Sequence, residues 1–527
     1  MSAHRRIDAH TLKAWLRDGG ELAVLDVREQ GEYSDAHLLF AGNLPRSRLE
    51  PMLANLVPRR SVRLVMCDAG DSDEAELAAA MAGGFGYADV NVLEGGVAAW
   101  RAAGYEVFSG VNVPSKAFGE YVEHRYDTPR IAAEQLHALR ASGANLVILD
   151  SRPPEEFRNV SIPGGIDCPG AELVYRVFDA APDPNTLVVV NCAGRTRSII
   201  GAQSLINAGV PNRVVALKDG TMGWQLAGFE PAHGRTEHAA APSQEGLARA
   251  QAAATAVGTR HGVRVIDPDD LRRLEAERDV RTLYLFDVRT KEEYEAGHYP
   301  GSRHAPGGQL VQATDAFAPV RHARIVLIDS DGVRATMTGS WLRQLGWDEV
   351  FVLRDGLQGE LRRGPHEPVL LGFEAMPVIG PDALHALLAQ GGEVKVIDCG
   401  TSVQYRRGHV PGAIWCMRAR LARLVQEVAR DDYVVTSPNG VYAHYCARDL
   451  ARLRPGAAVR VLDGGNRAWS APGRSLESGA GRTIGEPDDV WVKPYQRREA
   501  QAAMQDYLTW EVNLVEQIAR DGDAHFR

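Results

Sequence analysis

The sequence predicts an α/β protein of four tandem units, each a mainly parallel sheet flanked by helices on both faces, followed by a C-terminal helical tail. Three observations predict it. Four apolar runs end in aspartate and pass into a polar helix start: LAVLDVREQGEY (22–33), LVILDSRPPEEF (146–157), LYLFDVRTKEEY (283–294) and VKVIDCGTSVQY (394–405). A second echo follows each one: VLEGGVAAW (92–100), ALKDGTMGW (216–224), VLRDGLQGE (352–360) and VLDGGNRAW (461–469). Within the units, short apolar runs alternate with helical patterns, the arrangement of a parallel sheet covered on both sides. The spacing repeats too: Asp26 to Trp100 and Asp150 to Trp224 each span 74 residues, and Asp398 to Trp469 spans 71. Asp287 reaches Glu360 after 73 residues and lacks the tryptophan. A period of this length is a domain rather than a short solenoid repeat.

Taken in order, unit 1 covers residues 1–110. Its opening, MSAHRRIDAHTLKAWL, has basic residues with no apolar run behind them, so no secretory leader is expected. Unit 2 covers 128–235, with strands LVILD, LVVVNC and VVALK and helices IAAEQLHALRASG and SIIGAQSLINAG. Its turn VSIPGG (160–165) carries Ser161 where units 3 and 4 carry His298 and His409. The Ala-rich stretch 236–260 reads as a helical or flexible linker. Unit 3 covers 261–366 and unit 4 covers 374–476. The tail, 485–527, is expected to hold a helix from about 496 to 520, with Met504, Leu508, Val512, Val515 and Ile518 on one face. Its other face carries both signs of charge, which suits docking on protein better than on a membrane. Trp100, Trp224 and Trp469 read as core anchors after the glycine turn.

Composition narrows the function. With 45% hydrophobic and 24% charged residues the chain is globular, and its net charge of −9 excludes a broad nucleic-acid-binding face. No run approaches the roughly 18 apolar residues of a membrane helix. Six cysteines in 527 residues show no disulfide framework, no C-x-x-C and no zinc-ligand spacing. The expectation is a cytoplasmic chain without metal or cofactor, in which a free thiol persists.

One cysteine stands apart. NCAGRTRSII (191–200) sets Cys192 at the end of an apolar strand and the start of a helix, where ligands of parallel sheets gather. The backbone amides of Ala193 to Ser198 are placed to curl into an anion cradle, with the helix N-terminus aimed at it. Arg195 and Arg197 add fixed charge, Gly194 permits a tight backbone, and Thr196 and Ser198 offer hydroxyl donors. Together these are expected to favour the Cys192 thiolate well below the free value of about 8.5 and to hold an oxyanionic substrate. Asp150 and Arg152 are expected to brace the sheet end and the loop.

The Asp-x-Arg…Glu-[Phe/Tyr]…Pro-Gly-[Gly/Ala] run, the CAGRTRS loop and the D-G-x-x-x-W run, in this order and spacing, resemble the rhodanese (sulfurtransferase) homology domain. The resemblance is strong in unit 2, good in the scaffolds of units 3 and 4 and weaker in unit 1; only linkers and tail fall outside it. It implies a ping-pong persulfide mechanism with Cys192 as nucleophile, Arg197 as the loop's closing arginine and Arg195 as an additional cation. The implied donor is a small anion, thiosulfate or a related persulfide, and the acceptor is cyanide or a thiol; no cofactor is implied. Cys192 to Arg197 is C-x4-R, one residue shorter than the C-x5-R loop of cell-cycle and tyrosine phosphatases. The alternatives are a non-enzymatic sulfur-carrier or interaction scaffold and, behind it, a cysteine phosphatase or arsenate reductase.

The sibling loops are degenerate. Unit 1 has MCDAGDSDEA (66–75), where acidic residues surround Cys67; unit 3 has DSDGVRA (329–335), with Asp329 in the cysteine position; unit 4 has SPNGVYA (437–443), with Ser437 there. Units 1, 3 and 4 are therefore expected to be structural or partner-binding copies. With the tail helix they are the expected surfaces for self-association or a partner protein. Cys67 and Cys168 remain candidates for relaying sulfur.

Overall fold

The apolar runs become strands, and each unit joins them in one order. The computed structural model describes residues 4–391, 393–471 and 473–527. Unit 2 holds strands Arg130–Ile131, Leu146–Asp150, Ile166–Asp167, Leu187–Asn191 and Val214–Leu217, arranged first–fifth–fourth–second–third and all parallel. The other three units repeat that order. Leu146–Asp150 pairs with Leu187–Asn191 from end to end, so both carboxyl ends coincide and Cys192 is the next residue beyond them. The sheet is covered on both faces, which is why its central strands are almost wholly apolar.

The Asp-x-Arg run is a clamp at that strand end. Arg152 donates to both oxygens of Asp150, at 2.8 and 2.7 Å, and to the Val160 carbonyl at 2.7 Å, fully out of solvent. Arg28 on Asp26 and Arg289 on Asp287 repeat it. In unit 4, which has no arginine there, the Gly400 amide and the Asn466 side chain satisfy Asp398 instead.

The glycine turn seats the cysteine loop. A Cβ on Gly220 would stand 2.5 Å from the Cys192 carbonyl oxygen and 2.6 Å from that of Gly194, so only glycine lets the two backbones meet. Across this contact Thr221 and Met222 donate their amides to the carbonyls of Cys192 and Ala193. Trp224, four residues after the glycine, is buried, with its indole N–H on the Glu230 carbonyl. Trp100 and Trp469 make the matching bond to Glu106 and Ser475.

The units share sheet and core. Val320–Arg321 of unit 3 pairs antiparallel with Ala23 and Leu22, extending the sheet of unit 1. The 236–260 linker takes its helical form: Gln244–Arg260 buries Ala250, Ala254 and Val257 in the core that units 2 and 3 share. Helix Val113–Tyr126 lies between the first two units, in a stretch the repeat pattern left unassigned.

The tail helix is Ala500–Asp521, and its buried face corrects the sequence reading. Met504, Leu508, Glu511, Leu514 and Ile518 are inside, while Val512 is exposed and Val515 only half-buried. No helix among the described residues is long and apolar enough to cross a membrane.

Candidate functional site

Cys192 follows the strand Leu187–Asn191, and the loop turns into helix Thr196–Asn207. None of the amides of residues 193–197 finds a protein acceptor among the described residues, as expected of a helix start that leaves its first N–H groups free. Ser198 sits beside the thiol: the Cys192 S–H donates to its Oγ at 3.4 Å, and that hydroxyl donates to the Arg195 carbonyl at 2.8 Å. Behind the loop, the Asn191 side chain donates to Asp150 and to Thr221, and Thr221 donates to the Cys192 carbonyl, tying the Asp150–Arg152 clamp to the cysteine.

The two arginines part company. Arg197 donates to Glu156 at 2.9 Å and to Gln309 of unit 3 at 3.3 Å, and its charge favours the Cys192 thiolate. Glu156 also meets Lys493 at 3.1 Å; burial acts to raise its carboxyl, but Arg197 and Lys493 prevail and hold it below the usual range. Arg195 turns the other way. It donates to both oxygens of Glu120 at 2.6 and 2.7 Å, to Glu123 and, at 3.1 Å, to Asp219. Three carboxylates neutralise this side chain, which corrects the expectation that Arg195 is a free cation for the substrate.

A second correction concerns the thiol. Cys192 is only 2% exposed, and burial pushes it above the ordinary thiol value despite the opposing pull of Arg197 and Ser198. The tail helix is the cover. A Cβ on Gly194 would stand 3.1 Å from Glu511 Oε2, 3.4 Å from the Tyr507 ring and 3.6 Å from Leu508. Glu511 Oε1 accepts the hydroxyls of Thr196 at 3.1 Å and Tyr507 at 3.0 Å. The neighbouring crevice between units 2 and 3, lined by Arg197, Gly170 and Gly308, has a volume of about 30 Å³, room for about one water.

The chain matches the Rhodanese-like domain family at residues 8–103, 132–227, 267–360 and 380–472. It belongs to that family. A crystal structure of thiosulfate sulfurtransferase from Pseudomonas aeruginosa is 46% identical, covers 99% of each chain and superposes with a TM-score of 0.92. Over its whole length the protein is therefore built like a sulfurtransferase. Two curated relatives match more narrowly. An HTH-type transcriptional regulator of Mycobacterium tuberculosis is 33% identical over 93 residues, and a tRNA uridine(34) hydroxylase of Erwinia tasmaniensis is 26% identical over 94. Each match takes in 17% of this chain, and 41% and 27% of those relatives respectively.

In unit 3 the arginine–glutamate brace is present without the cysteine. There Arg334 occupies the Arg197 position and pairs with Glu293 at 2.7 and 2.9 Å, as Arg197 pairs with Glu156. It also reaches Glu172 of unit 2 at 3.0 Å, so the site's cation has become an inter-unit pair. Cys67 and Cys168 are buried in cores, and burial raises both thiols well above their ordinary value.

Glu120, Glu123, Tyr507, Glu511 and Gln309 were not singled out from the sequence, and Leu508 was read only as part of the tail helix's apolar face. A partial signal exists for Glu120 and Glu123, two carboxylates one helical turn apart in a chain with an unmatched arginine pair. Nothing local points to the others, because they arrive from unit 3 and from the tail.

Proposed function

We infer that this rhodanese-like protein is a sulfurtransferase moving a sulfane sulfur from thiosulfate, or a related anionic persulfide donor, to cyanide or a thiol through a Cys192 persulfide. One observation carries the reading: Cys192 opens a loop whose amides at 193–197 have no protein acceptor among the described residues and whose Arg197 charge favours its thiolate, in a chain similar throughout to a thiosulfate sulfurtransferase. The thiolate attacks the outer sulfur of thiosulfate, a Cys192 S–S bond forms, and the donor's S–S bond breaks with its electron pair leaving on sulfite. The loop amides and Arg197 meet the developing charge. Cyanide or an acceptor thiolate then takes the outer sulfur, and the Cys192 thiolate returns; the two half-reactions give ping-pong kinetics. Arg195 serves as a structural support of the loop.

The experiment measures sulfite release from thiosulfate by the wild type and Cys192→Ala, with intact mass read after donor alone. The expected result is one added sulfur atom on the wild type, lost in the variant together with turnover. Folded wild type with a titratable Cys192, no added sulfur and no sulfite would overturn thiosulfate chemistry. A second reading, a structural and binding role for units 1, 3 and 4, is favoured by Asp68 and Asp329, whose carboxylates occupy the amides of their own loops in units 1 and 3, and by Ser437 in the cysteine position of unit 4.

A further inference from the structure

What fills each loop differs between units. In unit 1, Asp68 accepts the amides of Gly70 at 2.8 Å and Ala75 at 3.1 Å and the Ser72 hydroxyl at 2.9 Å. In unit 3, Asp329 stands in the cysteine position and accepts the amides of Gly332 at 2.8 Å and Ala335 at 2.9 Å. Each cradle is thus closed by a carboxylate of its own loop, held as a bound anion would be. The CAGRTRS loop of unit 2 has no acidic residue.

A carboxylate reaches that loop from elsewhere. Glu511 of the tail helix is 2% exposed, and its Oε1 is held by the Thr196 and Tyr507 hydroxyls. Its Oε2 is buried without a hydrogen-bond partner among the described residues and lies against Gly194. The cation acting most strongly on it is Lys116, whose Nζ is itself buried without a hydrogen-bond partner among the described residues, 4.7–5.1 Å from the ring centres of Trp491, Tyr507 and Trp510. A desolvated carboxylate without a direct ion pair is costly in a fold. Its presence at the Cys192 loop, which has no carboxylate of its own, points to a use. Its charge also opposes ionisation of Cys192.

We propose that Glu511 is a specificity-determining residue of the Cys192 site: its carboxylate stands at the mouth of the anion cradle, where an anionic reagent must displace it and a neutral one meets no such opposition. The nature of the physiological donor rests on the sulfur-transfer reading; the competition for the cradle is a property of Cys192 and its roof.

The test is the rate of Cys192 alkylation in the full-length protein by iodoacetate and by iodoacetamide, with the site read by peptide mass. Wild type, Glu511→Gln and Tyr507→Phe are compared, and thiosulfate turnover is measured alongside. Glu511→Gln is expected to raise the iodoacetate-to-iodoacetamide rate ratio about tenfold, the effect of removing one charge near a poorly solvated site. Tyr507→Phe, which loosens the carboxylate without removing it, is expected to raise the ratio about threefold and decides the matter should the first variant not fold. An unchanged ratio overturns the proposal. So does equal acceleration of both reagents, which would mean that the helix had only opened. A shifted ratio with no sulfite from any variant sinks the sulfur-transfer reading and leaves Glu511 its role; sulfite release with an unshifted ratio does the reverse.

Discussion

Burial raises the Cys192 thiol, and Arg197 with the Ser198 hydroxyl and amide pulls it back without overcoming the burial. The thiolate fraction at neutral pH is then smaller than for a free thiol, and alkylation of Cys192 is expected to climb with pH through a midpoint above that of a free thiol. Arg197→Gln removes the largest opposing charge. The midpoint moves further up, and iodoacetamide alkylation at pH 7 falls about tenfold, the effect of one pKa unit. Arg195→Gln acts on a different quantity. It leaves Glu120 buried without its partner, which is expected to cost about 3–5 kcal/mol in urea denaturation while the alkylation midpoint stays in place. Sequence made the two arginines look equivalent, since both lie within five residues of the thiol. Their partners separate them: Glu156 is in the same unit, whereas Glu120 and Glu123 lie on the helix between units. Cys192, Gly194 and Arg197 could be read together because one contiguous loop carries them; the roof could not, because the tail helix that builds it is far away in sequence.

The tail helix shows how far periodicity goes and where it stops. Apolar spacing alone puts Val512 and Val515 with Met504, Leu508 and Ile518, but the inward positions are Glu511 and Leu514. A pattern of apolar residues cannot register a buried carboxylate, so the true face was read one step off. Leu514 is fully buried among Leu39, Phe108, Val113 and Ala117, and this contact holds the helix over the loop. Leu514→Ala is expected to weaken the docking by about 2–5 kcal/mol. Because Cys192 reacts only when uncovered, its iodoacetamide reaction at pH 7 accelerates in that variant, read by site-resolved mass spectrometry. Val512→Ala, at a position 43% exposed, should leave that rate unchanged. If both variants react like the wild type, the helix does not control access.

At the scale of the whole molecule, the four repeats legible in sequence are not four independent bodies. One core joins Leu25 and Leu64 of unit 1, Phe118 of the connecting helix, Ile199 of the loop helix, and Phe286 and Ile325 of unit 3. A second joins Val190 and Leu205 of unit 2 with Val333 and Met337 of unit 3. Unit 4 keeps cores of its own. It meets unit 1 largely through polar groups: Arg418 on Glu50 at 2.6 and 2.8 Å, Arg448 on Glu50 at 3.0 Å, and the Tyr442 hydroxyl on the Ser47 carbonyl at 2.9 Å. The repeat pattern could not foretell this, because a shared core draws on the same apolar residues as a private one. The consequence is a division of stability. Leu25→Ala and Leu424→Ala each remove a fully buried side chain, at an expected cost of about 2–5 kcal/mol. In native-state hydrogen exchange, Leu25→Ala should lower protection across units 1 and 3 and the loop helix of unit 2 together, while Leu424→Ala lowers it in unit 4 alone. Loss confined to unit 1 in the first variant would mean that the repeats fold as separate domains. The loop helix carrying the Cys192 site would then owe its stability to unit 2, not to the degenerate units packed against it.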